Sequence, residues 1–268
     1  MTDYRSHLSV AIWAALVALV LGSFLHLPAR SLDFIFLGSP LSISLTGNML
    51  VALVALTIIC AGMEAALRTH PRHDLLRHTF RYWGLPAATV LAGAALLPAA
   101  PTKAAWLVVL LLTVLALAAV TLAEYHTVDP ENEYYHIARV VLNLIAYGVA
   151  AVVFVLVYGS RSRSLLSATS IGIFSGLLAL DLLRGSKQPL RYVALYSFVV
   201  AVVLAQATWV LNYWPFASIR VGLILLVGFY LLVGLAQQAL NEHLTRRRTL
   251  EYLAVAAGAT VLLIVLPD

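Results

Sequence analysis

Charge is what this sequence has least of. Asp, Glu, Lys and Arg make up 11% of its 268 residues, against 62% that are hydrophobic. A water-facing surface usually needs about a quarter charged residues, so a soluble globule is excluded. Cysteine is nearly absent too: the lone Cys60 rules out an intrachain disulfide and a Cys-based metal cluster. Lying inside an apolar run, it reads as a small buried side chain. No P-loop, zincin or Gly-x-Ser-x-Gly signature occurs.

What is present in abundance is apolar run, with a mean hydropathy of +0.94. About 20 apolar residues cross a hydrocarbon core of roughly 30 Å. Segments near 8–27, 46–67, 80–99, 103–124, 136–158, 165–184, 190–212, 217–240 and 250–266 meet that length. The expected fold class is an all-α polytopic membrane protein of about nine spans. The first run ends in Leu-His-Leu-Pro-Ala-Arg without a small-x-small cleavage site, so it reads as a retained helix rather than a signal peptide. Between the first two spans, Leu32–Leu37 and Leu41–Leu45 flank Gly38-Ser39-Pro40, and serines alternate with aliphatics in the second stretch. That is strand periodicity around turn chemistry, and it predicts a short extracytoplasmic β-hairpin-like loop.

The pI near 9.5 points to lipid rather than nucleic acid, because the basic residues sit in short loops. Twelve Lys and Arg fall in the loop set containing the N-terminus and five in the opposite set. The positive-inside rule then places the N-terminus in the cytoplasm and Asp268 outside, in a multipass protein of the cell membrane. Ten of the twelve acids share the cytoplasmic side, a bias that this rule does not require.

Internal spacing suggests a repeat. Glu64, Glu124, Asp181 and Glu242 close the even-numbered helices at intervals of 60, 57 and 61 residues. A single membrane domain, 1–268, would then contain a first helix and outer flap (1–45) and four two-helix repeats at 46–102, 103–164, 165–216 and 217–268. A carboxylate at a helix C-terminus opposes the macrodipole. Arg68, Arg184 and Arg246 lie three or four residues beyond Glu64, Asp181 and Glu242, which puts each pair on one helix face. The expectation is a polar layer of these seven residues near the cytoplasmic headgroups, with four merely local ion pairs as the plainer alternative.

Two loops carry the remaining chemistry. Arg72, Arg77 and Arg81, with Trp83 beside them, read as contacts to anionic headgroups at the cytoplasmic face. In the loop after the fourth span, His126, Asp129, Glu131 and His136 are weak candidates for a divalent cation through N and O ligands, though a solvated acidic loop is the simpler expectation. At mid-span, Asn143 with Tyr147 and Gln206 with Trp209 suggest interhelical hydrogen bonds, and Ala168, Gly172 and Gly176 form a small-residue packing ridge.

Glu64-Ala-Ala-Leu-Arg68 contains half of the Glu-Glu-x-x-x-Arg motif of intramembrane CAAX-type proteases, but the second Glu and the histidine pairs of that family are missing. A microbial rhodopsin needs a lysine in its last helix, whereas Lys103 and Lys187 lie in loops. The block Gly228–Gly258 resembles uncharacterised bacterial multipass membrane proteins of unknown function; the resemblance implies no activity. Three functions stand. The first is a non-enzymatic scaffold, accessory subunit or lipid-associated protein, with a membrane-protein partner or homo-oligomer and no cofactor. The others are a small-molecule transporter built from helical hairpins, and an interface enzyme on a lipid-linked or phosphorylated substrate.

Overall fold

The computed structural model describes residues 4–24, 30–36, 39–72, 79–160, 164–186, 188–214, 216–241 and 245–265. Helix α1 (Tyr4–Phe24) is followed by strands β1 (Arg30–Phe36) and β2 (Ser39–Leu45), then α2 (Gly47–Arg68) and α3 (Gly84–Leu96). Helices α4 (Lys103–His126), α5 (Tyr135–Gly159), α6 (Ser164–Leu183), α7 (Leu190–Leu211), α8 (Ser218–Leu240) and α9 (Arg246–Val265) complete the chain. Eight of these helices are long and apolar enough to span a membrane, so the chain is the polytopic helical protein that its composition predicts.

The exception is α3. Its 13 residues rise about 20 Å at 1.5 Å per residue, and a 3₁₀ turn over Leu97–Ala99 extends it only slightly. The expected span began at residue 80, but Thr79–Tyr82 form a separate 3₁₀ turn, and Pro98 and Pro101 stop the helix at the other end. The strands pair antiparallel, Arg30 opposite Leu45 and Phe36 opposite Ser39. Pairing does not fix the side of the membrane, so the outer placement expected of this ribbon is a matter of topology. Of the expected Gly-Ser-Pro turn, Ser39 and Pro40 instead open β2 opposite Phe36 and Ile35, and Gly38 lies outside the described residues.

Contacts divide the chain into two compact units, Met1–Arg139 and Val140–Asp268. In the first, small residues bring helices close. Gly62 of α2 lies against Ala11 of α1, where an added Cβ would collide with the Ala11 side chain. Ala11, Ala15 and Leu19 of α1, Ala55 and Ile59 of α2, Val90 of α3 and Leu117 of α4 share one buried cluster. Thr46 and Thr102 cap α2 and α4 by accepting the backbone N–H of Met49 and of Ala105.

In the second unit the predicted ridge is real packing. A Cβ at Gly172 would stand 3.2 Å from that of Ala205, and one at Gly176 would stand 3.1 Å from that of Ala201, so α6 lies closely on α7. Asn212 Nδ2 donates to Ser167 Oγ across these helices at 3.0 Å. Buried hydroxyls mostly bond backward along their own helix: Ser175 to the Gly172 carbonyl, Ser197 to Val193 and Thr208 to Leu204. Gln206 and Trp209 both lie on an exposed face of α7 instead of between helices.

Candidate functional site

Polar chemistry in the first unit gathers where α1 begins and α2 and α4 end. Glu64, in the last turn of α2, accepts from Arg68 Nε at 2.8 Å; Arg68 is 69% exposed and Glu64 20%. The cation offsets the macrodipole that disfavours a carboxylate there. The Thr79 hydroxyl and the Trp83 indole approach the same carboxylate, yet Glu64 Oε2 and Trp83 Nε1 are both buried outside hydrogen-bond geometry. Glu124, in the last turn of α4, is fully buried. Beyond it, the Thr127 hydroxyl closes the helix on the Glu124 carbonyl at 2.9 Å.

An aromatic stack sits beside these acids. Tyr4 and Tyr125 lie face to face, with centroids 4.0 Å apart and planes 8° from parallel. The His70 ring meets Tyr125 edge-on at 4.6 Å, and His126 lies 5.7 Å from Tyr134. His70 is 8% exposed, and its Nδ1 accepts the Arg72 backbone N–H at 3.1 Å, so that nitrogen carries a lone pair. Burial holds its pKa below the ordinary histidine value; Arg72 and His126 add to the depression, while Asp129 opposes it.

Arg72 joins the two loops that stand apart in sequence. Its guanidinium reaches Asp129 Oδ1 at 3.1 Å and Glu131 Oε2 at 2.8 Å, while the Glu131 N–H bonds to Asp129 Oδ1 at 3.0 Å. Two candidate cation ligands are thus engaged by an arginine expected at a lipid headgroup. Of the other two, His126 has a buried Nδ1 without a hydrogen-bond partner, and His136 is exposed. Among the described residues, no three His, Cys, Asp or Glu side chains converge as a metal cluster. Arg81 is half-buried beside Trp83, and Arg77 lies outside the described residues.

The second unit holds the rest of the expected layer. Asp181 and Arg184 form an ion pair at 3.0 Å with side chains only 4% and 7% exposed. Arg246 is exposed, and Glu242 lies outside the described residues. Beside Arg246, Arg247 pairs with Glu251 at 3.1 Å on the surface. The Tyr4–Tyr125–His70 stack was not among the residues singled out from sequence. Its signal is faint, aromatic and imidazole side chains clustering at helix ends, and no local pattern links positions so far apart. Chemically, the site of the first unit is a tied polar cap: ion pairs on the outside, aromatic rings and imidazoles beneath.

Neither the curated proteins nor the solved structures contain a match to this chain. A family does match, over residues 27–266, nearly the whole length and all the helices from α2 to α9. The chain therefore belongs to the family described as Protein of unknown function (DUF5656).

Proposed function

We propose that this protein is a non-enzymatic scaffold or accessory subunit of the cell membrane that docks a further membrane protein, or a second copy, through α9. The observation carrying this reading is the surface of that helix. Only Ala256 of α9 is buried, while Leu250, Leu253, Val255, Val261, Leu262, Ile264 and Val265 are exposed. Gly258 has no atom within 4 Å of where a Cβ would stand, which leaves room for close helix approach. The ionic groups support the same reading, since Glu64–Arg68, Arg72–Asp129–Glu131 and Asp181–Arg184 hold local structure together.

The topology in this reading is N-terminus cytoplasmic and C-terminus extracytoplasmic, on the loop charge bias. Arg246, Arg247 and Arg248, exposed at the start of α9, then face anionic lipid. Duplication of a two-helix unit within one membrane domain belongs to the same proposal. Its support is that Glu64, Glu124 and Asp181 recur near the C-terminal ends of α2, α4 and α6.

Cysteine placed at Gly258 or Val261 and cross-linked in native membranes tests the docking. A discrete adduct, with a second copy or one other membrane protein, is expected. Monomer alone at both positions would mean that lipid covers α9 and would overturn the reading. A reporter fused after Asp268 should be active only outside the cytoplasm.

A further inference from the structure

Inside the second unit, aromatic residues from three spanning helices meet. Tyr147 sits near the middle of α5 and Tyr230 near the middle of α8, with ring centroids 6.0 Å apart. Tyr252 of α9 lies 5.7 Å from Tyr230, and Phe229 lies 5.6 Å from Tyr147. Gly234 makes room for this arrangement: a Cβ there would stand 2.5 Å from Tyr252 Cε1. The rings therefore pack on one another, and their phenolic edges carry the chemistry.

Among the described residues, none of the three hydroxyls makes a hydrogen bond. One turn before Tyr147 on α5, Asn143 Oδ1 is buried and has no partner. Water is scarce in a hydrocarbon core, and an unpaired polar group there is costly. Buried tyrosines usually find a partner for their hydroxyl. Here Asn143 Oδ1 is buried, Tyr147 and Tyr252 are half-buried and Tyr230 is exposed, so three donors and one acceptor stand unpaired together on α5, α8 and α9. Elsewhere in the same unit, Tyr158 donates to the Leu211 carbonyl at 3.0 Å, as a buried tyrosine should. Tyr230 is 40% exposed, so a molecule dissolved in the bilayer can reach the cluster from the side.

We propose that Asn143, Tyr147, Tyr230 and Tyr252 form a membrane-embedded binding site for a lipid-soluble ring bearing carbonyl or hydroxyl groups, the chemistry of a prenylated quinone. Phenolic O–H groups donate to ring carbonyls, the Asn143 carbonyl oxygen accepts from a ring hydroxyl, and the ring lies against the exposed side of Tyr230 while its tail stays in lipid. Binding alone is proposed, with no electron transfer. The site is separate from the exposed face of α9 around Gly258 and stands whether or not that face docks a partner.

The test uses the full chain in lipid nanodiscs with a photoactivatable azidobenzoquinone carrying a decyl tail, its sites of attachment mapped by mass spectrometry. Saturable labelling is expected on peptides containing residues 140–153, 227–234 or 249–255, and it should be suppressed by excess decyl-benzoquinone but not by decane. Tyr147→Phe and Tyr230→Phe keep the rings and remove one hydroxyl each, so each should weaken binding by about tenfold. Asn143→Leu should affect the reduced, hydroxyl-bearing competitor more than the oxidised one. Labelling that decane suppresses equally, that both tyrosine variants leave unchanged, or that falls elsewhere in the chain would overturn the proposal. Parent-like size-exclusion profiles of the variants separate lost binding from lost fold.

Discussion

Asp181→Asn removes one charge from a pair that has almost no contact with solvent. Asp181 and Arg184 are 4% and 7% exposed at 3.0 Å separation, so the substitution takes from a buried guanidinium the carboxylate that stands beside it. Breaking a buried pair from one side typically costs about 3–5 kcal/mol. Glu64→Gln is the control. Its partner Arg68 is 69% exposed, and a pair open to solvent is worth less than about 1 kcal/mol. The expected gap of about 2 kcal/mol or more is over a factor of ten in the unfolding equilibrium. Titration of the detergent-solubilised protein with SDS, followed by tryptophan fluorescence, measures it. The double substitution Asp181→Leu with Arg184→Met should recover most of the loss, because the cost lies in stranding a charge and not in lacking a pair. Equal destabilisation by Asp181→Asn and Glu64→Gln, or no recovery in the double variant, would refute the assignment of burial as the cause.

Three further outcomes are expected. Because His70 is depressed in the folded chain, its contribution to stability is complete above the ordinary histidine pKa of about 6.5 and is lost as pH falls below it. A thermal midpoint that drops between about pH 6.5 and 5 in the parent, and drops less in His70→Asn, is the signature. Gly172→Leu forces a side chain against Ala205 and the Ala201 carbonyl, 3.2 and 3.3 Å from the position of its Cβ, and should cost at least about 1–3 kcal/mol in the same SDS titration. Arg72→Gln should unlock the loop that carries Asp129 and Glu131, read as faster proteolysis between α4 and α5 in sealed vesicles.

Much of the architecture was legible because membrane helices announce themselves by length and composition. The ridge of α6 could be read from Ala168, Gly172 and Gly176 alone, since spacing of four fixes a face. Its partner face on α7 was legible in the same way, as Ala201 and Ala205, but only once the two helices were known to be neighbours. The start of α3 differs from the expected span. Apolar character continues through Phe80 and Tyr82, whereas the helix begins at Gly84, because hydropathy measures transfer to lipid and not backbone geometry. The polar cap was legible only in pieces. Arg72 and Glu131 are 59 residues apart, and each loop read alone suggested its own partner, lipid phosphate for one and a cation for the other. Complementary charge on loops at the same membrane face was the available clue. The stack of Tyr4, Tyr125 and His70 had no comparable clue, since aromatic rings near helix ends usually serve as interfacial anchors.

The fastening of α6 to α7 bears on how the chain assembles. At one end the short connection after the Asp181–Arg184 pair ties the helices covalently; at the other, Asn212 grips Ser167. Between these ends the ridge contributes shape without cross-links, because Ser175, Ser197 and Thr208 satisfy their hydroxyls within their own helices. Such a hairpin can zip from its closed end, residue by residue, with no bond to break when the register is momentarily wrong. The Asn212–Ser167 bond, at the open end, is met only when the register is right. The α6–α7 hairpin is thus suited to nucleate its unit during insertion, with α8 and α9 added to a surface that has already set.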